Sequence, residues 1–285
     1  MQQILSKTGD FLLGLKKEGK DFLSIPEQFS EYTVLYIPKG KGLYYADFGE
    51  FAFNGSVLLF STPLQALRLD AIIADEFHVL QFHSDFYCIE YHREEVACNG
   101  LLFNNIYIDP VINLAPDDIV FIEQLFDNIT QECAQEEISE IVLRSYQQLF
   151  LAKSTTIKRR LMAHQEKTEV KDDLMERFRQ LLDEHFLTLH KPNDYADLLA
   201  VSPNTLTKRC TKYFKKPPTH LITERLILEA KKQLHLTRKS IKEIAFALNF
   251  QDEFYFSRVF KKFTNVSPQA FRDKTGISIV ADLYR

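Results

Sequence analysis

The stretch Ile241-Lys-Glu-Ile-Ala-Phe-Ala-Leu248, followed by Asn249 to Gln251 and then Asp252 to Phe263, decides the fold of the C-terminal region. It reads as a short apolar helix, a tight turn and a basic helix. Asn249 stands where the chain must turn, and asparagine tolerates the left-handed backbone conformation. Asp252 is expected to cap the second helix. The pattern therefore predicts a helix-turn-helix.

A second copy of this pattern lies upstream. Tyr195 to Ala200 form its apolar helix, and Asn204 to Phe214 form its basic helix. Between them, Ser202 is expected to cap the basic helix and Pro203 to occupy its first position. Helical spacing predicts that the following residues face inward: Leu198, Leu199, Leu206, Cys210 and Tyr213.

The region resembles the DNA-binding domain of the AraC/XylS family of bacterial transcription regulators, over about the last hundred residues. The most specific parts of the resemblance are Ile241-x-x-Ile-Ala-x-x-Leu-Asn-Phe, the run Tyr255 to Lys262, and Ser267-Pro268-x-x-Phe271-Arg272. The resemblance implies two helix-turn-helix subdomains, at about 193–214 and 241–264. A long linker helix over Pro218–Leu234 is expected to join them.

The resemblance also implies which side chains contact DNA, since a helix fits the major groove and its outward side chains reach base edges and phosphates. Carried over by position, the base-reading residues are Asn204, Thr207, Lys208, Phe254, Ser257 and Arg258. The phosphate-contacting residues are expected to be Ser202, Arg209, Lys212, Lys261 and Lys262. Phe254 departs from the family pattern, in which a small or polar residue is more usual, but an aromatic ring can contact a thymine methyl.

Charge is unevenly distributed along the 285 residues, whose formal net charge is −4. From Asp172 onward there are 20 Lys and Arg against 14 Asp and Glu, a balance of +6. Before Asp172 there are 15 against 25, a balance of −10. A basic C-terminal domain beside an acidic N-terminal one is typical of a polyanion-binding module joined to a separate sensing module.

The N-terminal half alternates in strand fashion from about Tyr32 to Phe82. Gly40 and Gly42 are expected to turn the chain between two strands, and Asn54-Gly55 predicts a hairpin. Short strands at this spacing favour a barrel or jelly roll over about residues 20–110. The family resemblance, weaker here, implies a cupin-like sensor barrel. Its recognisable pieces are Gly40-x-Gly42 and Asp47-Phe48, and helices over Asp117–Ile129 and Ser139–Ala163 are predicted to flank the barrel.

A barrel of this size often holds one small ligand. The aromatic residues expected to line such a pocket are Tyr36, Tyr44, Phe48 and Phe60. The alternative is that these rings simply fill the barrel. The sequence does not name a ligand, and a small-molecule effector stays an expectation.

A short stretch also contains side chains that could bind a metal: His83, Cys88, His92 and Cys98. There is no Cys-x-x-Cys, and the paired histidines of a metal-dependent cupin are missing. His78 and His83 are five residues apart, so they point to opposite faces of an uninterrupted strand. Buried thiols and hydrogen-bonded histidines are therefore expected, with neither a metal nor a cofactor.

Together these patterns predict an α+β protein with a cupin-like β-barrel and a C-terminal all-α domain. The expected division is 1–165 for sensing and dimerisation, 166–172 as linker and 173–285 for DNA binding. No apolar run is long enough to span a membrane, no secretory signal is visible, and the four cysteines are scattered. These features favour a cytoplasmic protein.

The predicted function is a ligand-responsive transcription regulator, expected to be an activator rather than an enzyme. Its expected partners are double-stranded DNA, RNA polymerase and a second copy of the chain. The second copy would pair through Ser139–Ala163; the alternative is that this helix packs on its own barrel. Two alternatives remain. One is a cupin-type metal-dependent enzyme with an appended helical domain, although no catalytic motif is seen. The other is an interaction adaptor whose helical bundle does not bind DNA.

Overall fold

The chain forms two compact units in this computed structural model, the first extending to Met162 and the second beginning at Ala163. The structure describes residues 2–6, 9–47, 49–74, 76–87, 100–168 and 172–277. Within these ranges, no helix combines the length and the apolar character that a membrane crossing demands.

The first unit is built on one antiparallel sheet. Its strands are β1 (Gln2–Leu5), β2 (Phe11–Gly19), β3 (Tyr32–Ala46), β4 (Gly49–Ser61), β5 (Leu67–Ile73), β6 (Glu76–Phe82) and β7 (Val111–Asn113). Their order is β1-β2-β6-β3-β4-β7, and β5 also pairs with β3. Among the described residues, no ladder joins β7 to β1. The α+β class is therefore confirmed, but the sheet is open and the predicted closed barrel is not confirmed.

Strands β3 and β4 are longer than predicted, because the glycines expected to turn the chain lie inside them. Gly40 pairs with Gly55 across the two strands. A Cβ atom on Gly40 would lie 2.8 Å from Cγ2 of Ile37, so this glycine permits a close approach at a bulge rather than a turn. The hairpin predicted at Asn54-Gly55 is wrong, since the chain reverses between Ala46 and Gly49 instead.

Both faces of β3 are buried at its N-terminal end. Val34 and Tyr36 belong to one apolar cluster, which helices α1 (Pro116–Cys133) and α2 (Glu140–Thr168) complete. Leu35 and Ile37 belong to another, which includes residues of β5. The continuous apolar run of β3 follows from this burial on both sides.

The second unit is helical. Its helices are α3 (Asp173–His185), α4 (Pro192–Leu198), α5 (Pro203–Phe214), α6 (Pro218–Leu236), α7 (Ile241–Ala247), α8 (Glu253–Thr264) and α9 (Pro268–Thr275). The two predicted helix-turn-helix pairs are therefore α4–α5 and α7–α8, and α6 is the predicted linker helix. Helix α2 runs to Thr168, so the linker expected at 166–172 begins inside a helix, and residues 169–171 lie outside the described ones.

The turns and caps of the two helix pairs have matching geometry. Ser202 accepts a hydrogen bond from the backbone N–H of Thr205 at 3.1 Å, and Asp252 accepts one from Tyr255 at 2.6 Å, so both predicted caps are confirmed. Asn249 has φ 59°, as predicted. Ala200 stands at the corresponding position of the first pair, with φ 54°.

Candidate nucleic-acid interface

Helix α5 has one buried and one exposed side. Leu206 and Cys210 are fully buried, and burial raises the pKa of the Cys210 thiol to about 12. The predicted base-reading residues Asn204, Thr207 and Lys208 are exposed. Thr207 Oγ1 donates to the carbonyl oxygen of Pro203 at 2.9 Å, which leaves its oxygen as an outward hydrogen-bond acceptor.

Two residues predicted to face inward lie nearer the surface. Leu198 is 47% exposed because Tyr195 and Ala196 provide the buried side of α4. Tyr213 is 38% exposed, and its hydroxyl donates to Oε1 of Glu176 at 3.1 Å. The polar end of the tyrosine therefore reaches across to α3 instead of entering the core.

Arg209, predicted to contact phosphate, is held within the domain. Its Nε donates to Oδ2 of Asp172 at 3.1 Å, and its Nη2 donates to the other carboxylate oxygen. Partial burial raises the pKa of Asp172, but the bonds from Arg209 and from the backbone of Met175 and Leu174 outweigh it and leave that pKa below its usual value. The guanidinium thus has a carboxylate partner at the N-terminal end of α3.

Helix α8 repeats the arrangement of α5 with larger side chains. Phe256 and Phe260 are fully buried at the core of the second helix pair. Phe254 is 69% exposed, an unusual degree for a phenylalanine in a folded domain. Arg258 is exposed, whereas Ser257 is only half-exposed.

The predicted reading residue Arg258 also has an aromatic neighbour. Its guanidinium lies 5.8 Å from the ring centre of Tyr255, one turn earlier on α8. Such a contact restricts the arginine side chain without occupying its hydrogen-bond donors. Lys261 and Lys262, predicted to contact phosphates, are both exposed.

Helices α6 and α9 hold the second helix pair in place. Leu226 and Ala230 of α6 are buried, as predicted for a linker helix. Arg272 of α9 donates to the carbonyl oxygen of Leu234 at 3.1 Å and to that of Lys239 at 2.6 Å. The Arg272 guanidinium thus supplies a hydrogen-bond donor to a carbonyl oxygen at the C-terminal end of α6. It also fixes the chain segment that leads into α7.

The predicted pocket aromatics of the first unit do not share one cavity. Tyr36 and Phe60 lie in the cluster covered by α1 and α2, whereas Tyr44 lies in the cluster on the other side. The Tyr44 hydroxyl donates to the backbone carbonyl of Phe60 at 3.3 Å. Phe48 lies outside the described residues. Tyr44 and Phe60 are therefore packed core residues, and Tyr36 also borders a cleft.

Three of the four weak metal candidates, Cys88, His92 and Cys98, lie outside the described residues. The fourth, His83, accepts a hydrogen bond at Nδ1 from the backbone N–H of Asp85 at 3.2 Å. Within the described part of the chain, no group of three or more His, Cys, Asp or Glu side chains is placed to hold a metal ion.

The sequence patterns missed the carboxylates that hold α5. Asp172 and Glu176 precede the first helix pair, and each lies 37 residues from its partner on α5. An Asp before an apolar helical pattern does indicate a helix cap, and Asp172 caps α3. Its ion pair with Arg209 is a tertiary contact, which no local pattern contains.

Comparison with known proteins identifies the type of the C-terminal region. Residues 195–274 match the family model described as a helix-turn-helix domain. The raffinose operon transcriptional regulatory protein RafR of Pediococcus pentosaceus is 28% identical over 96 residues, which cover 34% of this chain. These residues span 35% of RafR, about a third of the relative's length.

Two solved structures also align with this chain, one over its C-terminal part and one over most of its length. The C-terminal domain of AraT, a response regulator from Geobacillus stearothermophilus, is 31% identical, with 38% of this chain and 90% of that chain covered and a TM-score of 0.36. Wild-type ToxT from Vibrio cholerae, with an unsaturated fatty acid bound, is 17% identical, with 94% and 96% covered and a TM-score of 0.42.

Proposed function

We propose that this chain, whose residues 195–274 are an AraC-type helix-turn-helix domain, is a sequence-specific DNA-binding transcription regulator. RafR, which matches 96 residues of this chain, is named a transcriptional regulatory protein. The activity of the whole chain is therefore inferred from its own residues and from the type of this domain.

One observation carries the proposal: each helix pair presents a second helix with a buried apolar side and an exposed polar or basic side. Leu206 and Cys210 anchor α5, and Phe256 and Phe260 anchor α8. The caps at Ser202 and Asp252 fix where each helix begins, and hence which residues form its first outward turn. That turn is the part of a recognition helix that reaches base edges.

We assign the contacts as follows. Arg258 donates two hydrogen bonds to a guanine edge, and Asn204 pairs with an adenine. Phe254 packs against a thymine methyl, since an exposed ring offers apolar contact and no hydrogen bonds. Phosphates are contacted by the exposed polar and basic residues beside the reading faces: Ser202, Arg209, Lys212, Lys261 and Lys262.

The first unit is proposed to sense a small molecule and to form a homodimer, and we place its boundary near residue 165. The sensing role is supported by a cleft of about 470 Å³ between the sheet and α1.

The dimer is proposed to form through α2. Ile141 is 79% exposed and Leu149 is 46% exposed, and together with Ser145 they follow one helical stripe. The opposite side of α2 packs into the first unit through Leu143, Phe150 and Leu151.

The regulator is proposed to act in the cytoplasm, to activate transcription and to contact RNA polymerase.

Selection of duplexes from a random DNA pool tests the function directly. The full chain should enrich one sequence motif, and its affinity for that motif should fall steeply as salt is raised. Failure to enrich any motif, with unchanged affinity across the salt series, would rule out the proposed function.

A further inference from the structure

The cleft of the first unit has an aromatic base. The rings of Tyr36, His78 and Phe126 lie close together, with centroids 5.4 Å apart for Tyr36 and His78 and 5.6 Å apart for Tyr36 and Phe126. The volume of about 470 Å³ lies within the usual range for small-molecule pockets. Tyr36 and Phe126 are buried beneath the cleft, and His78 is half-buried at its surface.

One wall of the cleft comes from β2 and β6, and its charged side chains neutralise one another. Lys17 Nζ lies 2.8 Å from Oε1 of Glu76, and Nε2 of His78 lies 2.8 Å from the same oxygen. Burial and the neighbouring Lys17 charge lower the pKa of His78, which favours the neutral imidazole. This wall therefore contributes hydrogen-bonding groups and little net charge.

The opposite wall comes from α1 and carries two carboxylates. Glu123 and Asp127 both line the cleft and are one helical turn apart. The Tyr36 hydroxyl donates to Oε1 of Glu123 at 2.8 Å, which orients that carboxylate and leaves its second oxygen available. Neither carboxylate has a salt bridge with a Lys, Arg or His among the described residues.

From these features we propose that the cleft binds a small molecule that carries a protonated aliphatic amine. The ammonium group donates hydrogen bonds to Glu123 and Asp127, while its carbon chain packs on the exposed Ile73 side chain and on the His78 ring. Lys39, exposed at the rim, can turn to solvent or meet an anionic group at the far end of the ligand. Amine binding would give the proposed sensing role its class of ligand. Only the effect of that binding on transcription rests on the proposed function.

A matched set of five-carbon compounds separates the ligand classes. Cadaverine and pentylamine should raise the melting temperature of the full chain and give binding heats, because a ligand of the folded state stabilises it. Pentanol and pentanoate, with the same chain length and no cation, should do neither. Stabilisation by pentanoate or pentanol but not by the amines, or by none of the four, would overturn the proposal.

Two conservative variants locate the binding. Asp127→Asn should weaken amine binding by about tenfold, the usual scale for loss of one charged hydrogen bond. Glu123→Gln should act similarly, while its amide oxygen can still accept the Tyr36 hydroxyl, so that the fold is kept. Glu136→Gln, an exposed position in the loop after α1, is the charge-matched control and should bind the amine normally.

Unchanged amine affinity in both cleft variants, with circular dichroism like that of the parent protein, would place the amine elsewhere. DNA affinity of the same proteins is measured without ligand. A chain that binds amine and no DNA would count against the proposed regulator alone. A chain that binds DNA and no amine would count against the cleft proposal alone.

Discussion

Arg209 of α5 and Asp172 at the start of α3 form a two-point ion pair. The same Asp172 carboxylate accepts the backbone N–H groups of Leu174 at 3.1 Å and Met175 at 3.3 Å. One side chain thus caps α3 and holds a basic residue of the first recognition helix. The ion pair thus connects the N-terminal end of α3 to α5, the first helix that is proposed to contact DNA.

Release of Arg209 is predicted to strengthen electrostatic binding to DNA. In Asp172→Asn the amide oxygen can still cap α3, but the charge that neutralises the guanidinium is gone. We expect tighter binding at low salt and a steeper dependence on salt, by about one unit of slope. Filter binding across a salt series measures both.

The neighbouring exposed acid Asp173 provides the matched control, since Asp173→Asn changes the charge equally without touching the pair. Equal effects of the two substitutions would show that only overall charge matters. A small loss of stability, up to about 1 kcal/mol, is expected for Asp172→Asn alone.

Removal of Arg258 is predicted to damage recognition more than general affinity. Arg258→Ala should cost about 1–3 kcal/mol on the selected site and relax the preference at one base pair. Lys262→Ala, which removes an exposed charge on the same helix, should weaken selected and random duplexes alike. If Arg258→Ala weakens both duplexes equally, this arginine contacts a phosphate.

The stability of the first unit is predicted to rise with pH above about 8. Lys158 is buried, and its Nζ donates to the carbonyl oxygens of Asp109 at 2.7 Å and Val111 at 2.9 Å. Burial lowers its pKa from 10.5 to about 8, partly offset by the charge of Asp109. Between these values the unfolded chain keeps a proton that the folded chain has released, so stability rises with pH.

Denaturant unfolding at pH 7 to 9 tests this expectation, with Lys158→Met as the comparison. The wild-type free energy of unfolding should rise relative to the variant by up to about 1 kcal/mol per pH unit. The comparison cancels contributions from other groups that both proteins share. Parallel pH profiles would mean that Lys158 stays charged in the folded state.

The exposed stripe of α2 is predicted to hold the dimer together. Ile141→Glu places a charge where an apolar contact is proposed and should shift sedimentation toward the monomer. Ile25→Glu changes another exposed isoleucine of the first unit, outside α2, and should leave the mass unchanged. An unchanged dimer in Ile141→Glu, or a parent protein that is already monomeric, would exclude this interface.

Helix α6 is predicted to act as a rigid spacer between the helix pairs. Leu228→Pro should break it near its middle, at a cost of about 3 kcal/mol or more. Specific binding should be lost, whereas Leu228→Ala should keep it. Normal affinity of the proline variant for the selected site would show that the two pairs bind independently.

The helical unit was largely predictable because its signals are local. The αL residue Asn249 and the caps at Ser202 and Asp252 fall within a few residues of the helices that they delimit. Helix α6 follows from apolar spacing. It ends at Leu236, slightly beyond the predicted end at Leu234. The exposed side of α5 follows from the same period of 3.6 residues.

The sheet was less predictable because its determinants are distant in sequence. Gly40 looks like a turn residue locally, yet its role is set by Phe53 and Ile73, which crowd it from neighbouring strands. Tyr36 and Tyr44 both appear inward-facing, but the bulge between Ile37 and Gly40 changes the register and sends them to different clusters. The cleft lies between β2, β6 and α1. These elements are distant in sequence, so no periodic pattern predicts that they come together.

Hydroxyl-radical footprinting of the full chain on a selected duplex, repeated across a salt series, tests the central claim most directly. Two recognition helices should protect two patches one helical turn apart, about 34 Å along the duplex, for each bound protomer. If about six phosphates are neutralised, log K should fall against log salt with a slope near −5. A single protected patch per protomer, or an affinity that does not change with salt, would contradict the account.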